Sequence, residues 1–248
     1  MGDDKRDGRD RTLAQCGSSV PGVSTSRDVD AFLEKARAVA TPAQPAGRLI
    51  FALDATMSRQ PTWDLACRLQ AEMFDTALSG GGLGVQLVYF RGYGECRASR
   101  WVSDPDALTA LMTRIECRGG LTQIGRVLAH ARKEVSRSGA KVLVLVGDAV
   151  EEDADALCAF AGELGLLGVR IFAFQEGHDA VVTQVFKELS RLTGGAYARF
   201  DSGAAATLGA LLRGAAAYAS GGLPALQRLA ERDGGVVKGL LTAMGGKR

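Results

Sequence analysis

The 248-residue chain is 46% apolar and 23% charged, with 30 Lys plus Arg against 28 Asp plus Glu and a formal net charge of +2. That size suits one α/β domain with extra termini, and the near-balance of charge argues against a dedicated nucleic-acid binder, which carries a basic stripe. The longest apolar runs, within 49–53 and 142–146, fall far short of the roughly 20 residues that a membrane span needs, so no membrane partner is expected.

Residues 1–11 hold four acidic and four basic side chains, and 17–26 are mostly Ser, Gly, Val and Thr. Residues 1–25 are therefore expected to form a disordered tail. No apolar stretch follows the basic start, and Arg6 stands where a myristoylation signal needs Ser or Thr. The expected location is therefore the cytoplasm. Ser26 is a fitting N-cap for a helix over 27–40, where Val29, Phe32, Leu33, Ala36 and Val39 approximate one face. Pro42, Pro45 and Gly47 make 41–47 a linker.

From Arg48 onward strand and helix patterns alternate. Residues 49–53 read as a strand buried on both faces. Pro61 suits the first turn of a helix running to about residue 78, stopped by Gly80-Gly81-Gly82. Residues 85–90 form a second strand, and the more polar 95–102 an edge strand or hairpin partner. A short helix over 104–115 follows, then a helix carrying Ile124, Val127, Leu128, Ala131 and Val135 at helical spacing. Residues 142–146 are another buried strand. A helix face of Leu157, Phe160, Ala161 and Leu164 leads to a strand over 169–174, and one of Val182, Val185, Phe186, Leu189 and Leu192 to a strand over 196–200. Residues 204–219 are helical, and the leucines and valines between glycines in 221–248 suggest short docking helices. The alternation predicts an α/β fold: a doubly wound, Rossmann-like, mostly parallel sheet with helices on both faces.

In such sheets ligands bind beyond the carboxyl ends of the strands, where the strand order reverses. After the first strand comes Asp54-Ala55-Thr56-Met57-Ser58. After the central one comes Gly147-Asp148, and before the helix leading into it lies Gly119-Gly120-Leu121-Thr122. If the first and central strands are neighbours, these segments meet at one edge and offer two carboxylates and three hydroxyls. An all-oxygen set suits a hard divalent cation, Mg2+ or Mn2+ in preference to zinc, with a coordination position left for water or an incoming oxygen. The plainer alternative is that Asp54, Thr56, Ser58 and Thr122 merely cap helices and turns.

Asp54-x-Thr56-x-Ser58, then Thr122, then Asp148 resembles the metal-ion-dependent adhesion site (MIDAS) of von Willebrand factor A (vWA) domains, whose pattern is Asp-x-Ser-x-Ser, a distant Thr and a distant Asp after the fourth strand. Thr193-Gly194-Gly195 is similar to the Thr-Gly-Gly stretch before the last strand of bacterial members. The resemblance covers 48–219 and leaves 26–47 as an N-terminal helix and linker and 220–248 as a C-terminal helical extension. It implies that Ser58, Thr56 and Thr122 act as hydroxyl ligands, direct or through water, and that Asp54 and Asp148 act mainly through water or by holding the groups that touch the ion. Thr56 departs from the usual Ser, its methyl restricting the rotamer. The implied function is a metal-dependent protein-binding module, not an enzyme, in which a partner Asp or Glu completes Mg2+ coordination. Bacterial intracellular members imply a multiprotein assembly, with an ATPase or chaperone as the kind of partner.

The rival reading is a Mg2+-dependent phosphatase of the haloacid-dehalogenase-like type, which also places an Asp after its first strand and a Gly-Asp after a later one. That chemistry needs a second acid two residues after the nucleophile, where this chain has Thr56. The acidic run 151–155 is expected to serve the positive end of the next helix. The Gly80–Gly84 cluster precedes a strand, the wrong place for a dinucleotide loop. His130 and His178, the only histidines, are expected to be solvated. Trp63 and Arg59 either edge the binding face or, for Trp63, half-pack on the domain. The arginines at 91, 97, 100, 114 and 118 alternate with acids as a solvated mixed-charge surface. Cys16, Cys67, Cys96, Cys117 and Cys158 contain no Cys-x-x-Cys pair and are expected to be free thiols in a reducing compartment.

Overall fold

The computed structural model describes residues 47–57, 60–69, 71–78, 82–201 and 204–245, all within the unit Gln44–Arg248. The expected tail, the helix over 27–40, most of the linker, Cys16, Ser58 and Arg59 lie outside the described residues. Six strands form one sheet: β1 (Gly47–Asp54), β2 (Leu83–Arg91), β3 (Glu95–Val102), β4 (Val142–Gly147), β5 (Arg170–Glu176) and β6 (Ala196–Phe200), in the order β3-β2-β1-β4-β5-β6. All neighbours pair in parallel except β2 and β3, a hairpin whose outer strand lies at the edge. The strand order reverses between β1 and β4, which pair from Leu49↔Val142 to Leu53↔Val146.

Successive side chains of a strand point to opposite faces, and the core divides accordingly. Leu49, Phe51, Leu53, Val144, Val146, Phe172 and Phe174 pack on one face, with Trp63, Met73, Leu108, Leu211 and Leu212. Ile50, Ala52, Leu143, Leu145, Ile171 and Ala173 pack on the other, with Ile124, Leu128, Leu157, Leu164, Phe186 and Leu189. Helices α1 (Gln60–Leu69), α2 (Ala71–Leu78), α3 (Pro105–Met112) and α7 (Ala205–Asp233) therefore cover the first face. Helices α4 (Ile124–Ser138), α5 (Ala154–Leu166) and α6 (Ala180–Thr193) cover the second. The central strands read as unbroken apolar runs because both faces are dry.

The helix expected from Pro61 to about residue 78 is described as two segments, 60–69 and 71–78, with residue 70 outside the described residues. Trp63 of α1 sits against Met112 and Tyr89, whereas α2 runs beside α7, where Arg213 pairs with Glu72. The helix expected to end near residue 219 is interrupted at Gly221 (φ −145°) and Gly222 (φ +63°), then resumes with Pro224 in its first turn, where a missing N–H costs nothing. Its second segment and α8 (Gly235–Ala243) bury Ala217, Leu226, Leu229, Ala230 and Val237 together.

Thr193-Gly194-Gly195 has a structural explanation at the opposite edge from the strand ends discussed below. The Thr193 hydroxyl accepts from the Ile171 N–H (3.1 Å) and donates to Leu189 O (2.9 Å). A Cβ at Gly195 would lie 2.0 Å from Ile171 O, so the backbones of β5 and of the turn between α6 and β6 meet there without a side chain between them.

Candidate metal centre

The carboxyl ends of β1 and β4 lie side by side, and the loops leaving them converge with the loop before α4. Asp54 ends β1 and is buried. Its Oδ1 accepts from the Thr56 N–H at 2.8 Å, the local turn that short acidic side chains make with the backbone two residues on. Ala55 holds the turn in place: its N–H donates to Phe90 O and its carbonyl accepts from the Arg118 N–H, both at 2.9 Å. The Gly119–Thr122 loop is pinned to the β2–β3 turn by the Leu121 N–H on Gly92 O (3.1 Å) and by Gln123 Nε2 on Arg91 O (3.1 Å). Gly120 allows this approach, since a Cβ there would meet Gly92 O at 2.2 Å.

A cavity of about 210 Å³ results, lined by Asp54, Thr56, Met57, Gly119, Gly120, Thr122, Asp148, Ala149 and Glu151. The structure thus brings together Asp54, Thr56, Thr122 and Asp148, while Ser58 lies outside the described residues. Among the described residues, three carboxylates, two hydroxyls and no basic side chain line this cavity, a donor set that fits a hard divalent cation. At about 30 Å³ per water, there is room for an ion with several waters. Among the described residues no group of three or more His, Cys, Asp or Glu converges as a metal cluster. A cation here would therefore depend on hydroxyls and water as well as acids.

The acidic run after Asp148 departs from expectation. Asp153 does cap α5, accepting from the Ala156 N–H at 2.8 Å. Glu151 and Glu152, however, reach across to the Thr122 loop. Glu151 Oε2 accepts from the Thr122 N–H (2.6 Å), and the Glu151 N–H donates to Thr122 Oγ1 (3.0 Å). Glu152 Oε2 accepts the Thr122 hydroxyl (2.6 Å), and Oε1 accepts the Gly125 N–H (2.9 Å) in the first turn of α4. The cause is at position 123. Gln123 holds the N-cap position of α4 but turns its amide to the hairpin, makes no cap bond, and leaves Oε1 buried without a hydrogen bond. A helix N-terminus left uncapped locally needs acceptors from elsewhere, and Glu152 supplies one. Sequence reasoning missed both glutamates, since no local pattern links 122 to 152.

Other expectations resolve around this site. Trp63 is core, 2% exposed, with its indole N–H toward Met112 O and its ring edge-on to Tyr89; it does not edge the cavity. His130 is half-buried and not solvated. Gln86 Nε2 donates to Ser99 O, which turns Gln86 Oε1 to His130 Nε2 at 2.8 Å and places the ring proton there. Burial holds this imidazole below its ordinary pKa. His178 is exposed, 3.7 Å from Asp201. Cys67, Cys96, Cys117 and Cys158 are free thiols. Burial pushes Cys67 and Cys96 up to about 11, which leaves little thiolate for nucleophilic chemistry. Arg91, Arg97 and Arg118 pair with Glu95 or Glu116. A larger groove of about 730 Å³ lies along α2 and α7. Two of its arginines, Arg213 and Arg232, are paired with Glu72 and Asp233. Among the described residues no helix is long and apolar enough to cross a membrane.

No protein-family model and no curated protein matches the sequence. The likeness to known proteins lies in the fold. An aerotolerance-related membrane protein from Bacteroides fragilis, carrying multiple mutations to serines, superposes with a TM-score of 0.52 at 17% identity, over 68% of this chain and 98% of that one. The VWA domain of SpRpn10 gives 0.52 at 12% identity, over 64% and 89%. Proximal thread matrix protein 1 from the mussel byssus, in a structure with a zinc-occupied MIDAS motif, gives 0.53 at 18% identity, over 67% and 46%. With a six-stranded sheet that is parallel but for one edge strand, and helices on both faces, the chain has a von Willebrand factor A-type fold.

Proposed function

We propose that this protein is a metal-dependent protein-binding module whose divalent cation, Mg2+ or Mn2+, is held by Asp54, Thr56, Ser58, Thr122 and Asp148. The observation that carries this reading is the cavity at the β1–β4 switch point, whose described lining offers three carboxylates and two hydroxyls. A bound cation would supply a Lewis-acidic position for one carboxylate oxygen from a partner Asp or Glu. The chain's own part is to hold that position. Asp54 and Asp148 balance charge, Thr56 and Thr122 offer hydroxyl oxygens, and the Asp54 turn is fixed by the Thr56 N–H. The rim supports a protein as the partner. Met57, Leu121 and Tyr93 are 62%, 46% and 86% exposed. Met57 and Leu121 belong to segments that frame the cavity, and Tyr93 to the turn pinned against the second of them; exposed apolar side chains so grouped mark contact surfaces. The partner is accordingly an acidic residue flanked by apolar ones, within an intracellular assembly of which an ATPase or chaperone is a candidate member.

Calorimetry with Mg2+ and Mn2+ should show one site in the wild type, lost in Asp54→Ala and Asp148→Ala, and Mg2+ should raise the melting temperature relative to EDTA. Pull-down from cell extract should retain a partner with Mg2+ and lose it with EDTA or Asp54→Ala. Absence of binding heat together with identical melting curves would remove the metal from the reading. Mg2+-dependent turnover of p-nitrophenyl phosphate, abolished by Asp54→Asn, would replace adhesion with phosphatase chemistry.

A further inference from the structure

We infer that Glu152 is a positioning residue that sets the polarity of the Thr122 hydroxyl, an inference that rests on the metal reading of the cavity. A threonine hydroxyl has one proton and two lone pairs. Here the proton goes to Glu152 Oε2 at 2.6 Å, and one lone pair accepts from the Glu151 N–H at 3.0 Å. The second lone pair remains for the cavity that Thr122 lines. A hydroxyl can ligate a cation only through a lone pair; with its proton aimed inward it repels one. Glu152 therefore decides whether Thr122 is a ligand. It can do so because its other oxygen is anchored on the Gly125 N–H at 2.9 Å, which fixes the carboxylate against α4.

The two bonds give Glu152→Gln and Glu152→Ala opposite rankings in two measurements. An amide has one acceptor oxygen for two donors. The backbone N–H of Gly125 cannot turn away, whereas the Thr122 hydroxyl can rotate. The Gln oxygen thus stays on Gly125, and its NH2 faces Thr122 Oγ1. Both hydroxyl lone pairs are then occupied, and its proton points into the cavity. Alanine removes the cap but leaves the hydroxyl able to present a lone pair. In EDTA, Glu152→Ala should therefore be less stable than Glu152→Gln, while for Mn2+ Glu152→Gln should be the weaker binder. The expected loss for Gln lies in the ~10–100-fold range typical of groups that orient metal ligands.

The experiment measures Mn2+ affinity by electron paramagnetic resonance and thermal melts in EDTA for the full chain and its Glu152→Gln, Glu152→Ala, Thr122→Val and Glu152→Gln/Thr122→Val variants. The double variant should bind no more weakly than Thr122→Val alone, because the two groups act through one oxygen. If affinity and stability fall in the same order, or if the two losses add, Glu152 is only a helix cap and the inference fails while the metal reading stands. A wild type that binds no Mn2+ overturns the metal reading, and this inference with it.

Discussion

At the carboxyl end of β5, Gln175 is completely buried and its amide is satisfied from within. Nε2 donates to Asp179 O (2.9 Å), while Oε1 accepts from the hydroxyls of Thr183 (2.8 Å) and Tyr197 (2.7 Å). Its neighbour Glu176 accepts from the Thr62 hydroxyl of α1. At the carboxyl ends of β1 and β4 the same kinds of side chain instead line an open cavity large enough for an ion. Both regions are polar, at equivalent heights in one sheet. One is closed by side chains on its own flank and serves the fold; the other is framed by loops from three parts of the chain. Polar residues at strand ends are thus not equivalent, and what separates them is whether they close on one another or line a cavity.

Four measurements bear on that contrast. The largest effect belongs to Asp54→Ala, which should cut divalent-cation affinity by about 100-fold or more, the upper end of what loss of an orienting group costs, with a stability loss in EDTA of about 1 kcal/mol for the lost hydrogen bond to the Thr56 N–H; calorimetry and melts read the two. Gln175→Leu should lower stability alone. Burying a leucine in place of the partner of two half-buried hydroxyls costs about 1–3 kcal/mol, visible as a lower urea midpoint at unchanged slope, with cation affinity intact. An affinity loss in Gln175→Leu would show that the two regions are one unit. Leu121→Ser should leave stability within about 0.5 kcal/mol, as for exposed positions generally, and leave cation binding unaltered, while weakening retention of the captured partner in the pull-down.

The smallest effect concerns the hairpin beneath Gly120. Hydrogen bonding from Arg91, with a further bond from Tyr89, holds the Glu95 carboxyl at about 2, below its ordinary 4.5. A depressed carboxyl contributes stability that is present above its unfolded value and lost as pH falls from about 4.5 toward 2. The melting temperature of Glu95→Gln should therefore vary less with pH in that window than that of the wild type, and match its pH dependence above it.

The strands, the helix faces and the convergence of Asp54, Thr56, Thr122 and Asp148 are legible in the sequence because each depends on short-range periodicity or on a position at a strand end. The β3 edge is legible for the same reason: its polar pattern marks a strand with one wet side. Glu151 and Glu152 are not, since their partners lie 29 and 30 residues away and acids before a helix already have an adequate local explanation. His130 escapes because its position off the apolar stripe does not reveal that Gln86 stands opposite it. The burial of Trp63 depends on α3 lying beneath it, a tertiary fact. The break within α7 is hidden too, because apolar spacing continues across it while the neighbours it packs against change.

The pairing of β1 with β4 joins residues some 93 positions apart, Leu49 with Val142, and the candidate ligands flank that seam. Contacts so distant along the chain carry a large closure entropy and are slow to form. An ion bound between the two strand ends can stabilise only conformations in which the seam is already shut. Its kinetic signature should then be a slower unfolding rate with the refolding rate unchanged, so that Mg2+ would act as a latch on the finished molecule and not as a nucleus for its assembly.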